Sequence, residues 1–256
     1  GLTLRRQDRQ LEAAMAFRDA LINWRDPEFD RNNARGYQAT IKAWARDADA
    51  GKDAQVEAMI REAENFVIQF DTEGSPGEII FNRGEKARSQ KDYEAAIAEY
   101  EQIGEDDGFY ELAQIQIGLC KLSSKDLRGA REAFQTYLEV RVKDPKFNPT
   151  DPVGEARRKQ ALSRAEFYRA YIDHAVANNR FKKSDGKDAS GFTVVIDELK
   201  DFATTFGDAD KFVVRAQAML ADAYAKSGDS RKAADVVAEM VDGYPDASET
   251  ASASID

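Results

Sequence analysis

The chain repeats itself at a fixed interval. Gly84 and Gly118, Tyr93 and Leu127, Ala96 and Ala130, and Tyr100 and Phe134 are four pairs separated by 34 residues. A third unit keeps the inner distance: Ala221 to Ala233 is 12 residues, as are Gly84 to Ala96 and Gly118 to Ala130. A period of this length marks a supersecondary unit that cannot bury its apolar face alone and stacks on its neighbours. Two helices of a hairpin approach closely only where a small residue faces the partner helix. Gly84 or Gly118 on the first helix and Ala96 or Ala130 on the second supply those places. Tyr100 and Phe134 are then large enough to fill the gap to the next hairpin.

Helix is the expected element almost everywhere. Ala, Glu, Lys, Arg, Leu and Gln dominate, and apolar residues recur at three and four, as in Val56, Ile60, Ala63, Val67 and Phe70. Thr193-Val194-Val195-Ile196 is β-branched, but Asp197 to Lys200 continue it in helical register, so it reads as helix. The breaks carry cap chemistry. Ser75-Pro76-Gly77-Glu78 forms a capping box with Pro at the first helical position. Asp151-Pro152 is a second Asp-then-Pro entry. Gly51-Lys52-Asp53 and Gly228-Asp229 stop one helix with Gly and start the next with Asp. Lys91-Asp92 and Lys125-Asp126 sit at equivalent turns.

With these spacings the hairpins resemble the tetratricopeptide repeat. The last unit carries the pattern Leu220-Ala221-x-x-Tyr224, then Ala233-x-x-x-Val237, then Pro245; Ala96-x-x-x-Tyr100 and Ala130-x-x-x-Phe134 match its second-helix half. No Trp fills the first-helix position, and Ala87 and Lys121 stand where the family has Tyr. The resemblance covers about 77–143 and 209–245. It implies an all-α fold, a right-handed superhelix of stacked antiparallel helical hairpins, with first helices lining a concave groove. Repeat-like units are then expected at about 77–110, 111–143 and 209–245. An oversized hairpin over 151–207 lies between them, its first helix running from Asp151 to about Asn179 and its second from Ser190 to Phe206. The N-terminal region, 1–75, reads as three helices near 4–24, 33–50 and 53–71, the last two an atypical hairpin. Residues 246–256 read as a flexible tail.

Composition bounds the chemistry. In 256 residues there is one Cys, Cys120, and one His, His174, which excludes a disulfide framework, a multi-thiolate zinc site and a His-rich metal centre. The net charge of -10 disfavours nucleic acid as a partner. No segment approaches the ~18 apolar residues of a membrane span. Cys120 reads as a small buried hydrophobe and His174, three residues after Tyr171, as a structural histidine. Asp47 to Asp53 superficially resembles a calcium loop, but its Gly falls one residue early and its twelfth position is Ala58. Glu105-Asp106-Asp107 reads as a solvated turn before a helix N-terminus. No catalytic residue, metal ligand or cofactor motif stands out.

The helix near 109–123 carries two apolar stripes, Leu112, Ile115, Leu119, Leu122 and Ala113, Ile117, Cys120. By the resemblance, Ile115, Leu119 and Leu122 would face the groove with Phe81, Glu85 and Arg88 of the preceding hairpin and Asp222 further on. Such a floor is either covered by the chain itself, for instance by the long helix after Asp151, or presented to a partner. Some family members clamp a carboxylate with Lys, Arg and Asn. Here Glu85 and Asp222 occupy comparable places, which favours a basic or apolar guest over an acidic C-terminal peptide. The expected function is a non-enzymatic scaffold or adaptor that holds a peptide or helix of another protein in this groove. Two alternatives stand beside it: a bacterial envelope protein assisting outer-membrane or cell-wall assembly, and the helical part of an enzyme. The start at Gly1 rather than Met suggests a processed or excised chain and leaves location open between cytoplasm and periplasm.

Overall fold

A computed structural model describes residues 5, 9–47, 53–71, 76–207 and 211–244. Among these the secondary structure is helical, without strands. Gly51, Ser75, Pro245 and the tail 246–256 lie outside the described residues, and with them the cap of Ser75, the central residues of the calcium-like loop and the end of the last repeat. The described chain forms two compact units. The first comprises the described residues within 1–85 and 102–109; the second comprises those within 86–101 and 110–244. The division falls within the helix Pro76–Ser89.

The first unit contains α1 (Gln10–Asn23), α2 (Asp30–Asp47), α3 (Ala54–Phe70) and most of α4 (Pro76–Ser89). α2 packs against both α1 and α3. Phe17 and Leu21 of α1, Tyr37 and Ile41 of α2, and Ala63 and Val67 of α3 form the core. Gly36 permits the close contact of α2 with α1: a Cβ there would lie 2.8 Å from the Phe17 ring. Asp53 caps α3, its carboxylate accepting from the N–H groups of Gln55 and Val56. Polar groups in this unit are tied. The Arg18 guanidinium donates to both oxygens of Glu62, at 2.6 and 2.8 Å, and the Tyr37 hydroxyl donates to Glu62 at 2.9 Å. The Arg18 hydrogen bond, with that of Tyr37, outweighs desolvation and holds Glu62 below the usual carboxylate range.

The second unit contains α5 (Tyr93–Tyr100), α6 (Tyr110–Ser123), α7 (Leu127–Thr136) with a π-helical turn over Tyr137–Arg141, α8 (Pro152–Lys183), α9 (Phe192–Leu199), α10 (Phe202–Phe206), α11 (Val213–Lys226) and α12 (Ser230–Gly243). The repeat chemistry is visible here. At all three tight turns a residue in the left-handed region precedes an aspartate cap: Lys91 (φ 64), Lys125 (φ 68) and Gly228 (φ 89). Asp92, Asp126 and Asp229 then accept from the N–H groups of Ala95, Gly129 and Lys232. Each aspartate N–H also reaches back to the carbonyl five residues earlier, of Ala87, Lys121 and Tyr224, closing the preceding helix. Gly118 is the small residue the period demands: a Cβ there would stand 2.5 Å from the fully buried Phe134 ring.

α8 has 32 residues, about 48 Å at 1.5 Å per residue. Asp151 caps it by accepting from Val153 and Gly154, and Pro152 sits at the first position. The segment after the loop is helical, as the register of Asp197 to Lys200 indicates, but it breaks near Lys200 and Asp201 into α9 and α10. The Thr204 and Thr205 hydroxyls both donate to the Asp201 carbonyl at the break. The bend places Phe202 and Phe206 in the same core as Phe192, Val195 and Leu199 of α9, Phe167 of α8, and Val213 and Leu220 of α11.

Candidate functional site

Within the second unit, α8, α11 and the turn from α6 into α7 enclose a partly open cavity of about 780 Å³. Each wall follows from helical spacing. Phe167, Tyr168, Tyr171, His174 and Ala175 lie on one face of α8; Val214, Arg215, Ala218, Met219 and Asp222 lie on one face of α11; Leu122 and Leu127 close the third side. The lining is chiefly apolar and aromatic. Phe167 stacks on Phe212 and on Tyr171, with ring centroids 4.6 and 6.4 Å apart. Tyr171 is 46% exposed and Leu127 41%, so large apolar side chains stand at the mouth with solvent on one side.

One end of the cavity is polar and internally satisfied. The Asp222 carboxylate lies 2.6 Å from His174 Nε2 and accepts from Lys226 Nζ at 2.8 Å. Asn178 Nδ2 lies 3.1 Å from His174 Nδ1, and Asn178 Oδ1 accepts from Lys226 Nζ at 2.6 Å. Lys226 has only donors, so it fixes Asn178 with its oxygen toward the lysine and its amide toward the ring, 3.1 Å from Nδ1 and 3.2 Å from Nε2, while the Nε2 edge also faces Asp222. Burial works to raise Asp222; hydrogen bonds from His174 and Lys226 outweigh it and hold the carboxyl below its ordinary range.

The residues expected along a groove fall in different places. Leu122 and Asp222 line the cavity. Ile115 does not: it is fully buried in a cluster with Ala161, Ala165 and Ile172 of α8, against which Leu119 also packs. There the chain covers its own apolar floor, because α8 is long enough to lie along α6, and Ile115 has no surface to offer. Arg88 belongs to the second unit. Phe81 and Glu85 belong to the first, where the Phe81 ring meets Phe109 at 5.5 Å. Asp222 is not a free acidic group, since Lys226 one turn along the same helix neutralises it. Cys120 is buried. His174 was legible as a structural histidine. Its partner Asp222 was not, since it lies 48 residues along the chain, although the Asp222–Lys226 spacing of four was a readable signal.

A second recess of about 450 Å³ lies over α8, α9 and α10, lined by Glu166, Arg169, Asp197, Glu198 and Asp201 among others. Arg169 Nε stands 2.7 Å from Glu198 Oε1, and Arg131 Nε donates to Asp173 at 2.7 Å. Burial and the neighbouring Asp173 push Glu198 up to about 7 against the pull of Arg169 and Arg131. Burial also raises Glu166.

Among the described residues no group of three or more His, Cys, Asp or Glu could hold a metal ion, and no helix is long and apolar enough to cross a membrane. Compared with the known protein families and with curated proteins, the chain matches no family model and no curated relative.

Proposed function

We propose that the chain is a non-enzymatic interaction module whose second unit holds an apolar segment of a partner protein in the cavity between α8, α11 and the α6–α7 turn. The observation that carries this is the exposed apolar mouth. A self-contained core would bury Tyr171 and Leu127, yet both stand half in solvent beside a volume within the ~300–1,000 Å³ range of ligand pockets. The polar end adds shape without reactivity, because His174, Asn178, Asp222 and Lys226 satisfy one another. The resemblance to tetratricopeptide repeats supports the same reading, since hairpin stacks of that kind hold partner segments.

A second reading, the helical part of an enzyme, is favoured by one observation: Glu198, near 7, lines a recess beside Glu166. It ranks second because Arg169 lies 2.7 Å from Glu198, a pairing that anchors the carboxylate between helices.

The neutral fluorophore N-phenyl-1-naphthylamine tests the first reading. It binds saturably to the wild type, and the double substitution Leu127→Ser, Tyr171→Ser weakens binding about tenfold or more. Both positions are substantially exposed, so the variant keeps its far-UV circular dichroism. Absence of saturable binding, or equal binding by the variant, removes the proposal.

A further inference from the structure

The cavity carries one charge that no described residue answers. Arg215 is exposed, lines the mouth, and makes no salt bridge or hydrogen bond among the described residues. The other charged group in the lining, Asp222, is compensated by Lys226, so among the described residues Arg215 is the uncompensated charge of the lining. Its place on α11 sets a ruler. Met219 is four residues on, about one turn or ~6 Å along the helix, and Asp222 is seven residues on, ~10 Å. The cation therefore stands one turn from the apolar floor formed by Ala218 and Met219, at the end opposite the satisfied polar cluster.

A guanidinium beside an apolar wall favours a carboxylate, which it can take through two parallel hydrogen bonds. The nearby donors His174 and Lys226 are engaged, so this is a place for one carboxylate and not for a cluster of them. We infer that the occupant is a segment of a partner protein that inserts an apolar side chain beside Met219 and Tyr171 and sets one side-chain carboxylate, within about a turn of that anchor, on Arg215. The inference rests on the cavity being a binding site and goes beyond it in assigning the charge of the guest. It also reverses the preference for a basic guest that the acidic side chain of Asp222 suggests from sequence.

The test is a display library of random twelve-residue peptides selected on the wild-type chain, with the Leu127→Ser, Tyr171→Ser variant as counter-selection. The expected enrichment is Asp or Glu within four positions of Leu, Ile, Met or an aromatic residue. A selected peptide then loses about tenfold in affinity to Arg215→Glu, retains part of it with Arg215→Lys, and binds the wild type less well as salt rises. Selection repeated on Arg215→Glu turns toward Lys and Arg. Arg215 is exposed and unpaired, so these variants keep the fold, which circular dichroism verifies. Enrichment indifferent to charge or rich in Lys and Arg on the wild type, or unchanged affinity in Arg215→Glu, overturns the inference while leaving the cavity a binding site. No enrichment over the counter-selected variant removes the binding site itself, and the inference with it.

Discussion

The two units use the same device and finish it differently. In each, a helical glycine lets a neighbouring helix lay a phenylalanine ring against its backbone: Gly36 under Phe17 in the first, Gly118 under Phe134 in the second. In the first unit the surrounding side chains close over the contact, and Glu62 is locked by Arg18 and Tyr37. In the second unit the core includes two separate clusters, one around Phe134 and Ile115 and one around Phe192 and Val213, with Tyr168 packed against both. Beside Tyr168 the lining faces an open volume. One inserted long helix accounts for the difference. α8 spans both clusters: Tyr171, His174 and Ala175 face the cavity, while Ile172 between them is buried in the Ile115 cluster.

The largest expected effect separates the units by position. Phe134→Ala, in a site with no exposure, costs about 3–5 kcal/mol in the second unit, read from circular dichroism during denaturant unfolding. Both Trp residues, Trp24 and Trp44, lie in the first unit, so their fluorescence reports that unit separately. A cost under 1 kcal/mol would show that the Phe134 cluster is not close-packed.

Gly118→Ala and Gly36→Ala compare the two glycine contacts. Phe134 is fully buried and stacked on Tyr168 at 6.0 Å, so it cannot yield; Phe17 retains some exposure. Gly118→Ala is expected to destabilise by about 1–3 kcal/mol. Gly36→Ala costs less, because the ~1 kcal/mol helix preference of Ala offsets more of a softer clash. Equal costs would break the comparison.

Two carboxylates, Glu198 in the second unit and Glu62 in the first, have pH dependences of opposite sign. Glu198 is raised, chiefly by burial, above its unfolded value. Its contribution is thus fully present below about pH 4.5 and is lost as pH rises toward 7. Relative to wild type, Glu198→Gln therefore gains stability between pH 5 and pH 8. Glu62 is lowered by its hydrogen bond from Arg18, so its contribution is present at neutral pH and is lost as pH falls below the ordinary carboxylate range. The penalty of Glu62→Gln accordingly shrinks on acidification. Thermal melts of Glu198→Gln between pH 5 and pH 8, and of Glu62→Gln from about pH 5 downward, check the signs, and slopes of the same sign would contradict the assignments.

The smallest effect concerns the turns. Lys125 holds a left-handed backbone at φ 68 that glycine adopts without cost, so Lys125→Gly is expected to be neutral or stabilising by up to about 1 kcal/mol. The same change at Arg128, inside α7, destabilises by about 1 kcal/mol.

These turns were the most legible part of the chain. Asp92, Asp126 and Asp229 act locally, within three residues of the N–H groups they accept from, so sequence spacing identifies them. Gly118 was half legible: the 34-residue period marks it as a contact, while the ring it meets, 16 residues on, had to be inferred from packing logic. The cavity was not legible. It depends on α8 and α11 being held apart by α9, and on His174 meeting Asp222 48 residues away, neither of which leaves a periodic trace. Ile115 and Leu122 share one stripe, and only the tertiary path of α8 makes the first a core residue and the second a wall of the cavity.

The four methionines allow the central claim to be tested in one spectrum. Met15 and Met59 pack against the core of the first unit, Met240 is buried in the second, and Met219 lines the cavity. With [¹³C]methyl-Met protein titrated with N-phenyl-1-naphthylamine, the account predicts a saturable shift of the Met219 resonance, with Met15 and Met59 unmoved. A shift confined to Met15 or Met59, or none at Met219 at saturation, would contradict it.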